Sequence, residues 1–161
     1  MTATTQTRLI DRMLAEYGES HQDETNKAVH WVCVPLIAWT VIAALWSLPV
    51  PAAFSAVPGL NWAVIGVAAT LVYYIRMSPS LAAGFVVFAG VCVAAILLHQ
   101  AVAPWPLWAF AAVVFVLAWV AQFWGHKIEG KKPSFLKDLQ FLLIGPAWLM
   151  SFIYRRLGLR Y

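Results

Sequence analysis

At 161 residues the chain has the length of one ordinary soluble domain, yet 62% of its residues are hydrophobic and 11% charged, with a mean hydropathy of +0.74. Those values exclude a water-soluble globule and point to a membrane protein. The net charge of +4 then reads as membrane orientation and anionic-lipid contact, with nucleic acid a poor second explanation.

The first segment, TQTRLIDRMLAEYGES, places Leu9, Ile10, Met13, Leu14 and Tyr17 on one helical face with polar residues opposite, as an interfacial helix would. It leads into HQDETNKAVHWVCVP, where Asp23, Glu24, Thr25 and Asn26 offer N-cap chemistry for a new helix. From there the charges vanish: residues 28–75 contain no Asp, Glu, Lys or Arg, and neither do residues 77–126. A hydrocarbon core of about 30 Å takes roughly 20 helical residues, so each run holds two spans joined by a turn. Pro49, Pro51, Pro58, Gly59 and Asn61 break the first run, and Pro104 and Pro106 the second. Spans are therefore expected near Trp31 to Leu48, Leu60 to Ile75, Leu81 to Ala103 and Leu107 to Trp124. A β-barrel is disfavoured, because the runs lack strict alternation of apolar and polar residues.

The last apolar stretch, 139–154, is short for a span, has Gly145 and Pro146 in its middle and is followed by Arg155 and Arg156. Crossing would carry Arg155, Arg156 and Arg160 to the otherwise uncharged side, so a re-entrant or in-plane helix is expected. The whole reads as an all-α membrane protein, one integral domain over 1–161. It comprises four transmembrane helices as two hairpins, an N-terminal interfacial helix and this C-terminal segment. All basic and acidic residues fall outside the two hairpins, which places the N-terminus, the Arg76 loop and the C-terminus in the cytoplasm. A bacterial inner membrane or a membrane of endoplasmic-reticulum type suits such a multi-pass chain. No internal repeat and no short signal peptide with a cleavage site are visible, so the first span is expected to serve as its own insertion signal. Cys33 and Cys92 fall in spans and read as small apolar residues rather than a disulfide. The nine Trp read in part as interfacial belts.

Four histidines remain to be placed. His21, His30 and His126 all lie at the cytoplasmic edge, whereas His99 lies near the opposite tip. Metal ligands must converge to about 2.0 to 2.2 Å of one ion, so His99 cannot join the other three. His21 and His30 are nine positions apart, a half-turn offset at about 100° per residue, so a break between them is required before they can meet. Asn26 and His30 stand one turn apart on the new helix. Gln122, His126 and Glu129 follow i, i+4, i+7 spacing on another. Gly125 leaves room for close helix approach or for a ligand, and Gly130 with Pro133 ends that helix. Imidazoles with one carboxylate suit non-haem ferrous iron, and zinc nearly as well. Lys131 and Lys132 read most simply as a topogenic positive loop.

Several rivals fit less well. Histidine-box di-iron enzymes use many more imidazoles, on the order of eight. An intramembrane zinc protease wants HExxH, which is absent. A haem cytochrome with His30 and His126 as axial ligands leaves the polar companions unexplained. The alternatives kept open are a non-catalytic lipid-binding or structural bundle and another metal-dependent lipid-modifying membrane enzyme.

Tyr17, His21, Asn26, His30 and Pro35 in YGESHQDETNKAVHWVCVP, with Gln122, Gly125, His126, Glu129 and Pro133 in QFWGHKIEGKKP, resemble the paired signatures of the 2-hydroxy fatty acid dioxygenases. The likeness extends to YYIRMSPSLAAG and DLQFLLIGP, with Cys33 standing where that family usually has Gly and AWLMSFIYRRLG lacking an acidic residue expected there. Members act in phytosphingosine breakdown and shorten 2-hydroxy fatty acids by one carbon with Fe2+ and O2, and the resemblance implies that activity here. On this reading His21, His30 and His126, with Glu129 as ligand or supporting partner, hold one or two ferrous ions. A 2-hydroxy fatty acid offers its hydroxyl and carboxylate to the metal while its tail stays among helices or lipid. Arg76, Lys127 or Lys131 steer the carboxylate, and Asn26, Gln122 or Tyr17 orient the imidazoles.

Overall fold

A computed structural model describes residues 8–136 and 140–161. The expected tract at Thr5 to Thr7, and Leu139 at the start of the tail segment, lie outside the described residues. Six α-helices form: α1 (Leu9–Glu19), α2 (Glu24–Trp46), α3 (Trp62–Met77), α4 (Pro79–Val102), α5 (Leu107–Glu129) and α6 (Phe141–Arg156). Among the described residues there is no strand. The fold is thus all-helical, and α2, α4 and α5 are long and apolar enough to cross a membrane. α3 is apolar but has 16 residues, about 24 Å of helix axis against a core of about 30 Å.

Local chemistry sets the helix starts. The Asp23 carboxylate accepts the Thr25 and Asn26 N–H groups at 2.8 and 3.0 Å, so α2 begins well before its apolar stretch. Asn61 caps α3 through Val64 N–H at 3.1 Å, and Ser78 caps α4 with Pro79 in the first turn. α5 runs past Trp124 to Glu129 and stops at Gly130, whose φ of 71° is the left-handed conformation a glycine adopts without cost. Two expected spans therefore carry helical extensions beyond their apolar parts. Those extensions hold Asn26 and His30 on α2, and His126 and Glu129 on α5.

α2 is the hub. It packs along α5 most extensively and against α3, while α3 packs on α4 and α1 on α6. The buried face of α1 is Ile10, Met13, Leu14 and Tyr17, while Leu9, expected on the same stripe, lies at the helix start and is exposed. That face meets Phe141, Ile144, Ala147 and Trp148 of α6 in one core cluster that also takes Tyr74, Leu81 and Phe85. α6 is tied to the bundle by side-chain hydroxyls: Tyr74 donates to the Leu143 carbonyl, and Tyr154 to the Ser80 carbonyl at 2.6 Å. A second cluster, including Trp39, Ile42, Ala63 and Ile96, fills the opposite end. Cys33 and Cys92 are buried free thiols.

The α2–α5 seam admits no side chain at Gly125. A Cβ there would lie 2.5 Å from Asn26 Oδ1 and 3.5 Å from Val29 Cβ. Asn26 is itself fully buried, so it has nowhere to retreat. Gly125→Ala should therefore lower stability by about 1–3 kcal/mol, the usual cost of overpacking. Thermal unfolding in detergent checks this: Gly90→Ala, where a Cβ meets nothing within 4 Å, should leave the midpoint unchanged.

Candidate metal centre

His21 lies in the turn after α1, His30 in the second turn of α2 and His126 near the end of α5. All three are buried, at 1%, 1% and 5% exposure. Their candidate ligand atoms lie within 4.8 Å of one another, and among the described residues they form a group able to hold a metal ion. The rings are close to mutually perpendicular: 79° between His21 and His30, 72° between His21 and His126, 89° between His30 and His126. Edge-to-face rings are common in packed cores, so it is the convergence of the ligand atoms rather than the ring angles that points to a metal.

The tautomers follow from backbone geometry. His21 Nδ1 lies 2.5 Å from the Tyr17 carbonyl and His30 Nδ1 2.8 Å from the Asn26 carbonyl. A carbonyl oxygen only accepts, so both Nδ1 atoms carry the proton and both Nε2 atoms present lone pairs. Those two Nε2 atoms stand 2.8 Å apart. Facing lone pairs at that distance repel unless a proton or a cation sits between them. Burial lowers the His21 pKa to about 4, opposed by the Tyr17 carbonyl and reinforced by His126, so the ring is neutral at neutral pH. A metal takes neutral imidazoles, and two ligand nitrogens about 2.1 Å from one ion stand roughly 3.0 to 3.4 Å apart, close to the spacing seen.

The third imidazole gives the same indication independently. His126 Nδ1 is buried with no hydrogen-bond partner among the described residues, while the ring bonds the Lys131 backbone. An orphaned buried nitrogen costs about 1–3 kcal/mol, which coordination would recover. The donor set thus fits a borderline divalent metal such as ferrous iron or zinc.

The surrounding polar residues hold the ligands rather than join them. Glu129 accepts Gln22 N–H at 2.9 Å through Oε1, and Asp23 N–H at 2.7 Å and Asn26 Nδ2 at 3.3 Å through Oε2. Its carboxylate caps the N-terminus of α2, where backbone donors and the helix dipole favour an anion, and it is not among the converging ligands. Asn26 also donates to the Ser20 carbonyl at 3.2 Å, tying the His21 turn to α2. Tyr17 stacks on the His21 ring at 4.1 Å and 13°. Trp148 of α6 packs against both, at 5.5 Å from Tyr17 and 5.2 Å from His21.

Below the histidines opens a cavity of about 400 Å³, lined at its top by Tyr17, Gln122 and Ser134 and continuing down α2 from Val34 to Leu45. Gln122 is buried one turn before His126, and its Oε1 finds no partner among the described residues. Arg76, Lys127 and Lys131 are exposed and none of them lines the cavity; Lys131 instead donates to the Glu19 carbonyl. A long cationic side chain at a membrane edge reaches water more cheaply than an apolar interior. Pro35 and His99 line a separate cavity of about 510 Å³ nearer the other end, where His99 stacks on Phe110 at 4.9 Å. Trp148 has no assigned place in the sequence reading. Nearby on α6, Gly145 packs closely on α1, since a Cβ there would meet Tyr17 Oη at 3.1 Å.

Over residues 7–157 the sequence matches the family described as 2-hydroxy-palmitic acid dioxygenase Mpo1-like. The chain belongs to this family. No curated protein and no solved structure matches it. The three histidines and the residues lining the cavity beneath them all fall inside the region matched to the family.

Metal content measured on the purified protein should be near one equivalent of iron or zinc. It should be lost in His126→Ala and kept in His99→Ala; equal metal in the two variants would refute the site.

Proposed function

We propose that the chain is an iron-dependent dioxygenase that shortens long-chain 2-hydroxy fatty acids by one carbon at the cytoplasmic face of the membrane. The observation that carries this reading is the convergence of three buried imidazoles at the head of a mostly apolar cavity. The family description supplies the chemical class of substrate. The sidedness rests on the charge distribution, and the two-hairpin topology requires α3 to cross as a short span, with snorkelling or local thinning of the bilayer.

His21, His30 and His126 would hold the metal, leaving positions for oxygen and for the substrate hydroxyl and carboxylate. Ferrous iron, when bound, supplies the reactivity toward oxygen that organic side chains lack. With C1 released as carbon dioxide, one 2-hydroxy acid and one O2 give the shorter acid, CO2 and one water, so the overall reaction balances without a further reductant. The chain's own residues bind and orient. The Tyr17 and Asn26 carbonyls keep the Nδ1 protons in place, and so direct the Nε2 lone pairs inward.

Among the described residues the cavity has no Lys or Arg, so the carboxylate would be met by the metal and by neutral groups at the cavity head, Tyr17, Gln122 and Ser134. Arg76, Lys127 and Lys131 are left to attract the acid to the membrane surface rather than to hold it. α1 and α6 cover the imidazoles from one side, with Trp148 against His21, and limit water there.

The test is direct. Iron-loaded protein in detergent, given a long-chain 2-hydroxy acid under oxygen, should yield the acid one carbon shorter by mass spectrometry, and His126→Ala should fall to background. Absence of product from the iron-loaded wild type would reject the activity.

A further inference from the structure

The cavity does not run through the bundle. On α2 its lining ends at Leu45, and on α3 at Gly66, which face each other so closely that a Cβ on Gly66 would lie 2.8 Å from Leu45 Cδ1. Leu45 is backed from behind by the second core cluster, with Ile42, Ala63 and Ile96. This end is therefore a packed floor. Fifteen positions separate His30 from Leu45, about 22 Å of helix axis, which is most of the roughly 30 Å hydrocarbon thickness. The hydroxyls along the way are already used: Thr70 donates to the Gly66 carbonyl at 2.9 Å and Tyr74 to the Leu143 carbonyl. Apart from the Trp119 indole N–H, which is buried at the cavity with no partner among the described residues, the passage is apolar and suited to an alkyl chain.

We propose that Leu45 and Gly66 form the stop for the methyl end of the acyl chain, and so set the longest 2-hydroxy acid the protein accepts. The proposal rests on the dioxygenase reading for the identity of the head group. With the head fixed at the histidines, the straight path for the tail follows Val34, Ile37, Val41 and Leu45, one below another on α2. The competing path is sideways: α3 and α5 make no extended contact with each other, and the cavity is partly open. A tail leaving there would lie in lipid and would not sense the floor.

Two substitutions act in opposite directions. Gly66→Val fills the floor, and the flexible end of Leu45 can shift to accommodate it. Leu45→Ala deepens the cavity. Each methylene denied burial should cost about fourfold, so Gly66→Val should weaken the longest accepted acid by roughly fifteenfold for two methylenes and leave shorter acids unaffected. Leu45→Ala should extend the range to longer acids.

Two readouts are needed on a chain-length series of 2-hydroxy acids: product formation by the iron-loaded protein, and competition against a conjugated-polyene fatty acid detected by energy transfer from the tryptophans. Opposite shifts of the two variants in both readouts support the stop. Opposite shifts in binding without product in any variant uphold the stop and reject the dioxygenase reading. Unchanged binding profiles overturn the stop, whether or not product forms, and place the tail in lipid.

Discussion

The candidate metal centre depends on one close approach between two helices. Gly125 lies against Asn26 with no space for a side chain, and from that contact outward the register of α2 on α5 is fixed. His126 follows Gly125 directly, and His30 stands one turn beyond Asn26, so the seam that joins the helices also brings their imidazoles to the same depth. Glu129 completes the junction by accepting two backbone N–H groups at the start of α2. In a bilayer, where apolar surface gains little by moving from lipid to protein, small residues and interhelical hydrogen bonds of this kind are what drive helices together.

Within that frame the backbone does the work of orienting the ligands. His21 and His30 each reach back four residues to a carbonyl, Tyr17 and Asn26 respectively, and each is thereby left with its Nε2 lone pair facing inward. The carbonyl oxygens are held by the helical ends that carry them, so no charged partner is required to set the tautomer. Facing lone pairs and an orphaned His126 nitrogen are costly in a buried site, and a cation held between the imidazoles would relieve that cost. Metal affinity and local stability would then be coupled at this end of the bundle.

Much of this was legible in the chain itself, because a bilayer leaves so few solutions. Charge-free runs and proline breaks located the apolar helices, and the position of each histidine relative to them separated His99 from the rest. The α1 stripe gave the buried face of Ile10, Met13, Leu14 and Tyr17 and erred only at Leu9, which is exposed. What the sequence could not convey was set by tertiary partners. The i, i+7 spacing put Glu129 on the face of Gln122 and His126, but only the incoming N-terminus of α2 showed that its oxygens are committed to backbone donors. Cations within reach of a site in one dimension, Arg76, Lys127 and Lys131, turned out to be exposed and off the cavity lining. Trp148 gave no local signal, since its contact with His21 depends on how α6 folds back over α1.

The central claim is that three imidazoles, and no carboxylate, supply the protein ligands to one metal. X-ray absorption at the metal edge of the iron- or zinc-loaded protein measures this directly through the multiple scattering of imidazole rings. The account predicts three imidazoles with first-shell nitrogens at about 2.0–2.2 Å, one of them lost in His126→Ala and none in Glu129→Gln. A spectrum with fewer than three imidazoles in the wild type, or one that loses a ligand in Glu129→Gln, would contradict it.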